Sequence, residues 1–192
     1  MKLLMLDGSE KNDSFSGRVN NAVVEVLRGK KTSVTNIILN EHDIKGCVGC
    51  LGCFFKTPGV CRFKDLIQEL PRIYVESDIA VLITRVTFGG FSSILAKAYD
   101  RLIIQLESHL FEVSSGVMRR QKRYKQSYPS LLAIGLEEEA SGENRDIFKA
   151  LVQKNVFEHL RSHKHKTLFF PKQTPVLEMR QKIDHALIKI KG

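Results

Sequence analysis

Four cysteines, Cys47, Cys50, Cys53 and Cys61, fall within fifteen residues, and the chain contains no others. Gly46, Gly49 and Gly52 alternate with the first three. Glycine lets a backbone turn sharply, so thiols spaced in this way can converge on one point. A disulfide framework usually ties distant segments together, whereas four thiols packed so closely suit a soft metal or an iron–sulfur cluster. Structural zinc and unligated thiols remain open, since four-cysteine zinc sites also use Cys-x-x-Cys pairs, although usually with a longer stretch between them. Lys45, Lys56, Arg62 and Lys64 flank the thiols, and their charge favours thiolates.

Two further loops carry groups suited to binding. Asp7 to Gly17 holds three hydroxyls, Ser9, Ser14 and Ser16, with one cation, Lys11, and opens into a helix. Backbone N–H groups and the positive end of a helix favour a phosphate there. The competing reading is a polar loop whose serines merely cap the helix. Glu10 and Asp13 oppose anion binding unless they point outward. The Gly-Lys-Thr/Ser ending of a P-loop is absent. The second loop, Thr84 to Ser93, includes Val86-Thr87-Phe88-Gly89-Gly90-Phe91. Its glycines let main-chain amides approach a flat ring, and its aromatics can line that ring's face.

The elements that must position these loops alternate along the chain. Apolar or β-branched runs at Lys2–Leu6, Ser33–Ile38, Asp78–Ile83, Ser130–Ile134 and Thr167–Phe170 read as strands. Helical spacing marks Gly17–Leu27, Arg62–Leu70 (ending at Pro71), Ser93 to about His109, Asn144–Leu160, and a last helix from Thr174-Pro175 to about Ile190. Five strands alternating with five helical segments predict an α/β, doubly wound five-stranded parallel sheet with helices on both faces. Ligands of such sheets bind beyond the carboxyl ends of the strands, which places all three loops on one rim. The 192 residues read as one domain, residues 1–192, with the cysteine loop, 45–62, inserted after the second strand.

Composition excludes several classes. No apolar run approaches the length of a membrane span, and 27% of the residues are charged. The N-terminus lacks the long apolar region of a signal peptide, so the chain reads as cytoplasmic, where thiols stay reduced. The net charge of +9 allows a nucleic-acid partner, but it equally suits anionic ligands or an acidic redox partner. Much of the excess sits at Arg119–Lys125, read as a solvated loop. His159, His163 and His165 read as charges offsetting a helix end, and Asp100-Arg101 as helix or subunit-contact residues.

The three loops together resemble the flavodoxin-like NAD(P)H-dependent FMN reductase superfamily, and within it the iron–sulfur flavoproteins. Gly8-Ser9 to Ser16 is similar to the family's phosphate loop. The cysteines with Lys64-Asp65 resemble the branch's compact cluster motif. Thr84–Arg101 is similar to the family's Pro-Val-Tyr-Phe-Gly segment and its following Lys-Ala and Asp-Arg. The order and spacing match over about residues 1–135. Departures are Glu10 and Lys11 for proline and arginine, Phe15 for asparagine, and Arg85 and Thr87 for proline and tyrosine.

The resemblance implies FMN, with its phosphate held by Ser9, Lys11, Ser14 and Ser16 and its ring against Val86, Thr87, Phe88, Gly89, Gly90 and Phe91. It also implies a [4Fe-4S] cluster on Cys47, Cys50, Cys53 and Cys61, NAD(P)H or a ferredoxin-like protein as electron donor, and a homodimer or homotetramer. The expected function is an electron-transfer flavoprotein or oxidoreductase whose cofactors carry the chemistry. The alternatives are an NAD(P)H-dependent FMN reductase without a cluster, and a non-enzymatic flavodoxin-like sensor of redox state or metal.

Overall fold

Strand β1 (Lys2–Asp7) reads Leu3-Leu4-Met5-Leu6, and each of these side chains is buried. Successive residues of a strand point to opposite faces, so a strand that is apolar throughout must be covered on both. The computed structural model, which describes residues 1–112, 118–156 and 160–191, has that arrangement. Leu4 and Leu6 enter one core layer, and Leu3 and Met5 the other. Together with β2 (Ser33–Ile38), β3 (Ile79–Arg85), β6 (Ser130–Glu137) and β7 (His165–Pro171), β1 forms a parallel sheet in the order β2-β1-β3-β6-β7. This is the flavodoxin order, whose direction reverses between β1 and β3.

Helices α1 (Ser14–Leu27) and α6 (Val176–Lys191) cover the Leu3 and Met5 face through Phe15, Val19, Val23, Met179 and Ile183. Helices α3 (Leu70–Val75), α4 (Ser93–Arg101) and α5 (Gly142–Asn155) cover the other face through Tyr74, Leu95, Ala98, Phe148 and Val152. The doubly wound α/β class expected from the alternating runs is therefore the observed one. No helix among the described residues is long and apolar enough to cross a membrane.

Three stretches differ from the sequence reading. The helix expected from Ser93 to His109 ends at Arg101, passes through a 3-10 turn at Leu102–Gln105, and becomes β4 (Leu106–Glu112). β4 pairs antiparallel with β5 (Met118–Lys122), so much of the basic run read as a loop is strand. Arg123, just beyond β5, donates to the carbonyls of Ile104 at 2.9 Å and Leu106 at 2.8 Å. The spacing of Leu95, Ala98, Leu102 and Leu106 suits a helix, but the pairing with β5 overrides it.

In the second stretch, Arg62–Leu70 forms only a 3-10 turn, Leu66–Gln68, and α3 begins at Leu70. Pro71 therefore opens a helix rather than closing one, at a position where its missing N–H costs nothing. In the third, α5 ends at Asn155. His159 lies outside the described residues, His163 is exposed beyond the helix, and His165 opens β7 rather than ending a helix. Burial and the neighbouring Lys166 hold the His165 pKa below its ordinary value.

Candidate functional site

The β1–α1 loop is fixed by a close approach. A Cβ on Gly8 would sit 2.6 Å from Leu95 Cβ and 2.7 Å from Ser92 Oγ, so only glycine lets this loop pass the start of α4. Ser92 caps α4 by accepting from Leu95 N, and its hydroxyl donates to the Gly8 carbonyl. Ser9 follows, 1% exposed, and its Oγ is buried without a hydrogen-bond partner. Its carbonyl accepts from the Asn40 side chain, which ties the loop to the segment leading to the cysteines. Ser16 Oγ is buried and donates to the Asp13 carbonyl at 3.0 Å, while Lys11 and Ser14 are exposed.

Asp13 points inward. Its carboxylate caps α1 by accepting from Phe15 N at 2.9 Å, and it also receives Arg85 Nε at 2.9 Å. Arg85 donates in addition to Glu138, which Lys172 meets at 2.9 Å. Burial opposes the Arg85 charge, but Asp13 and Glu138 outweigh it and raise the guanidinium pKa. Phe15, which replaces a polar residue of the resembled motif, is 1% exposed and belongs to the core under α1. It cannot serve as a phosphate donor through its side chain.

On the β3–α4 loop, Thr87 and Gly90 close a tight turn through paired backbone hydrogen bonds of 3.2 and 2.8 Å. Phe88 at its tip has φ +49° and is 90% exposed. Gly89 has φ +75°, and a Cβ there would lie 2.5 Å from Ile147 of α5, so side chains larger than hydrogen are excluded. Phe91 turns inward, with its ring centroid 5.9 Å from that of Tyr99 and 5.5 Å from that of Phe148. Val86 is half-buried, with its methyl against Gly135. Of the two aromatics, Phe88 is thus the one presented outward on the rim.

The cysteine loop leaves β2 through a 3-10 turn at Leu39–Glu41 and is pinned by buried Ile44, Phe54 and Ile67. Helix α2 (Gly52–Phe55) carries Cys53, and Leu51 before it takes a left-handed φ of +53°. All four cysteines are free thiols, with Cys47 and Cys50 exposed and Cys53 and Cys61 half-buried. They line one cavity of about 310 Å³ together with Phe54, Phe63, Arg101 and Ile104. The Gly52 amide and the Arg62 guanidinium favour the Cys50 thiolate and lower its pKa. Burial raises the pKa of Cys53, as do the neighbouring Cys61, Cys47 and Cys50 sulfurs. Cys53 therefore feels the other three. Among the described residues, no three His, Cys, Asp or Glu side chains gather closely enough to hold a single metal ion.

Four thiols on one cavity with cations nearby are the donor type that iron–sulfur clusters and four-cysteine zinc sites both use. The rim suits a phosphate less simply. Ser9 Oγ is a spare donor, whereas the Asp13 carboxylate already uses the Phe15 amide. Helix α4 joins the two places: it begins at Ser92 on the rim, and Asp100 and Arg101 at its end line the cysteine cavity. Its nine residues span about 14 Å.

Sequence reasoning missed Asn40, the inward role of Asp13, and Arg101. Arg101, read as a helix or subunit-contact residue, is the last residue of α4 and is 1% exposed against the cysteine loop. A signal existed, since it stands three residues after buried Ala98 on the apolar side of α4.

The family model described as NADPH-dependent FMN reductase matches residues 1–119. An iron-sulfur flavoprotein from Archaeoglobus fulgidus (strain ATCC 49558 / DSM 4304 / JCM 9628 / NBRC 100126 / VC-16) is 25% identical over 103 residues, covering 54% of this chain and 46% of that protein. The chain thus spans about half the length of this curated relative. Among solved structures, an FMN-dependent NADH-azoreductase from Bacillus anthracis str. Ames Ancestor, in complex with FMN, superposes with a TM-score of 0.66 at 12% identity, over 100% of this chain and 99% of that one. An NAD(P)H:quinone oxidoreductase from Methanothermobacter marburgensis gives 0.69 at 10% identity, over 96% and 98%. At such identities the likeness is one of fold.

Proposed function

The chain belongs to the NADPH-dependent FMN reductase family, and from that premise we propose that it is an FMN-dependent oxidoreductase or electron-transfer flavoprotein carrying a [4Fe-4S] cluster on Cys47, Cys50, Cys53 and Cys61. When bound, FMN supplies two-electron exchange and the cluster one-electron exchange, so the pair interconverts donors of the two kinds. The observation that carries the reading is the single cavity lined by four free thiols at the far end of the helix that starts on the phosphate-loop rim.

Ser9, Lys11, Ser14 and Ser16 hold the phosphate, with the unpartnered Ser9 hydroxyl as the buried donor. A phosphate there competes with Asp13 for the Phe15 amide, and Arg85, already bonded to Asp13, offsets the added negative charge. Residues 86–91 line the ring, with Phe88 at the exposed tip and Gly89 and Gly90 giving backbone access. Arg62 and Arg101 neutralise the thiolates. The donor is NAD(P)H or a ferredoxin-like protein, and the assembly a homodimer or homotetramer.

Exposure of Cys47 and Cys50 favours a second reading, an FMN reductase whose thiols are unligated. Zinc is the lesser metal alternative. Iron, sulfide and flavin analysis of protein purified without air separates these. The main reading expects iron, sulfide and flavin in one chain, and visible absorption that bleaches with dithionite. Flavin without iron leaves the second reading, and protein that cannot be loaded with FMN leaves a non-enzymatic scaffold.

A further inference from the structure

We infer that Arg101 is a positioning residue for the sulfur ligands: it holds both ends of the cysteine loop together and sets the reduction potential of the cluster they carry, an inference that rests on the reading proposed above.

Arg101 is the largest fully buried side chain among the described residues. A charge at such depth is costly unless it is paired and hydrogen-bonded. Its guanidinium is bonded along one segment. Nη1 donates to the Lys45 carbonyl at 3.0 Å and to Asp65 Oδ2 at 2.5 Å, and Nη2 donates to the Phe63 carbonyl at 3.3 Å. Lys45 stands two residues before Cys47, and Phe63 two residues after Cys61. Asp65 completes the clasp by accepting from Lys45 N at 3.1 Å. The Phe63 ring lies 5.5 Å from the guanidinium carbon. One planar fork on α4 therefore secures the entry and exit of the loop, a geometry that lysine, a point charge, cannot reproduce.

A clasp alone would not need the remaining features. Arg101 lines the same cavity as the four cysteines. Its Nε is buried and has no hydrogen-bond partner, so one donor of the fork is left over. Positive charge beside the ligand cavity stabilises the more negative, reduced cluster and so raises its potential. Asp65 offsets part of that field. Arg101 and Asp65 thus bias the potential in opposite directions.

The test uses the full chain purified without air, with iron and sulfide content and separate redox titrations of cluster and flavin as readouts. Arg101→Gln is expected to shift the cluster potential negative and leave the flavin potential in place, and Arg101→Lys to fall between it and the unsubstituted protein. A cluster that stays at the unsubstituted potential in Arg101→Gln overturns the inference. Should Arg101→Gln fail to fold or to retain iron, Asp65→Asn decides, because it keeps the guanidinium and is expected to shift the potential positive; an unmoved potential overturns the inference equally. Absence of iron from the unsubstituted protein overturns both this inference and the proposed function, whereas an iron-loaded protein with an insensitive potential overturns this inference alone.

Discussion

Arg85 Nε donates to the Asp13 carboxylate across 2.9 Å, joining two rim loops 72 residues apart in sequence. The same carboxylate caps α1, so the positive end of that helix already faces an anion belonging to the chain itself. An incoming phosphate meets an occupied cap rather than open amides.

Asp13→Asn should therefore tighten FMN. Asparagine is as good a cap as aspartate, so α1 keeps its start while the repulsion is removed. An improvement of about tenfold corresponds to about 1.4 kcal/mol. Quenching of FMN fluorescence on titration measures it, and unchanged or weaker binding would place the phosphate elsewhere.

Ser9→Ala separates binding from folding. The Ser9 hydroxyl is buried without a partner, so its loss should leave stability unchanged or slightly higher. FMN affinity should drop about tenfold, the cost of about one hydrogen bond to a charged group. A variant with intact FMN affinity would show that Ser9 does not contact the phosphate.

Gly8→Ala should destabilise the fold by about 1–3 kcal/mol, since the added methyl overpacks the contact with Leu95 and Ser92. Urea denaturation reads this directly. Gly17→Ala is the control: a Cβ there meets nothing within 4 Å, and no comparable loss is expected.

Asp65 links stability to acid. Burial opposes its charge, but Arg101 and the Lys45 and Ile67 amides prevail, and the folded pKa is lowered. The unfolded chain then binds the proton more readily, so this contribution is present above the unfolded value of about 3.9 and is lost as pH falls through the lower folded pKa. Asp65→Asn should remove that part of the acid sensitivity and cost about 3 kcal/mol at neutral pH, because it leaves the Arg101 charge unpaired. Unfolding midpoints measured between neutral and acidic pH test both statements.

The five parallel strands were legible because runs such as Ile79-Ala80-Val81-Leu82-Ile83 are apolar at every position, which only a doubly covered strand tolerates. The three loops were legible from residue type, since cysteines, hydroxyls and glycines carry their chemistry in one letter. The β4–β5 hairpin was not. Leu102 and Leu106 extend the helical spacing of α4, and the basic residues of β5 hide strand alternation, so only cross-strand pairing reveals the hairpin. Nor could spacing show that Phe15 is core or that Phe91 turns inward while Phe88 points out. Those outcomes depend on which helix packs above each loop. The role of Arg101 required three-dimensional proximity, because its partners lie 36 to 56 residues earlier in the chain.

Ser92 and Arg101 bracket a single helix, so the separation between the Gly8 contact at its start and the cysteine cavity at its end is set by nine residues of helical rise. Adding one turn, about 5.4 Å, would draw Arg101 away from Lys45, Phe63 and Asp65 or Ser92 away from Gly8, so the two anchors hold the length of this helix fixed.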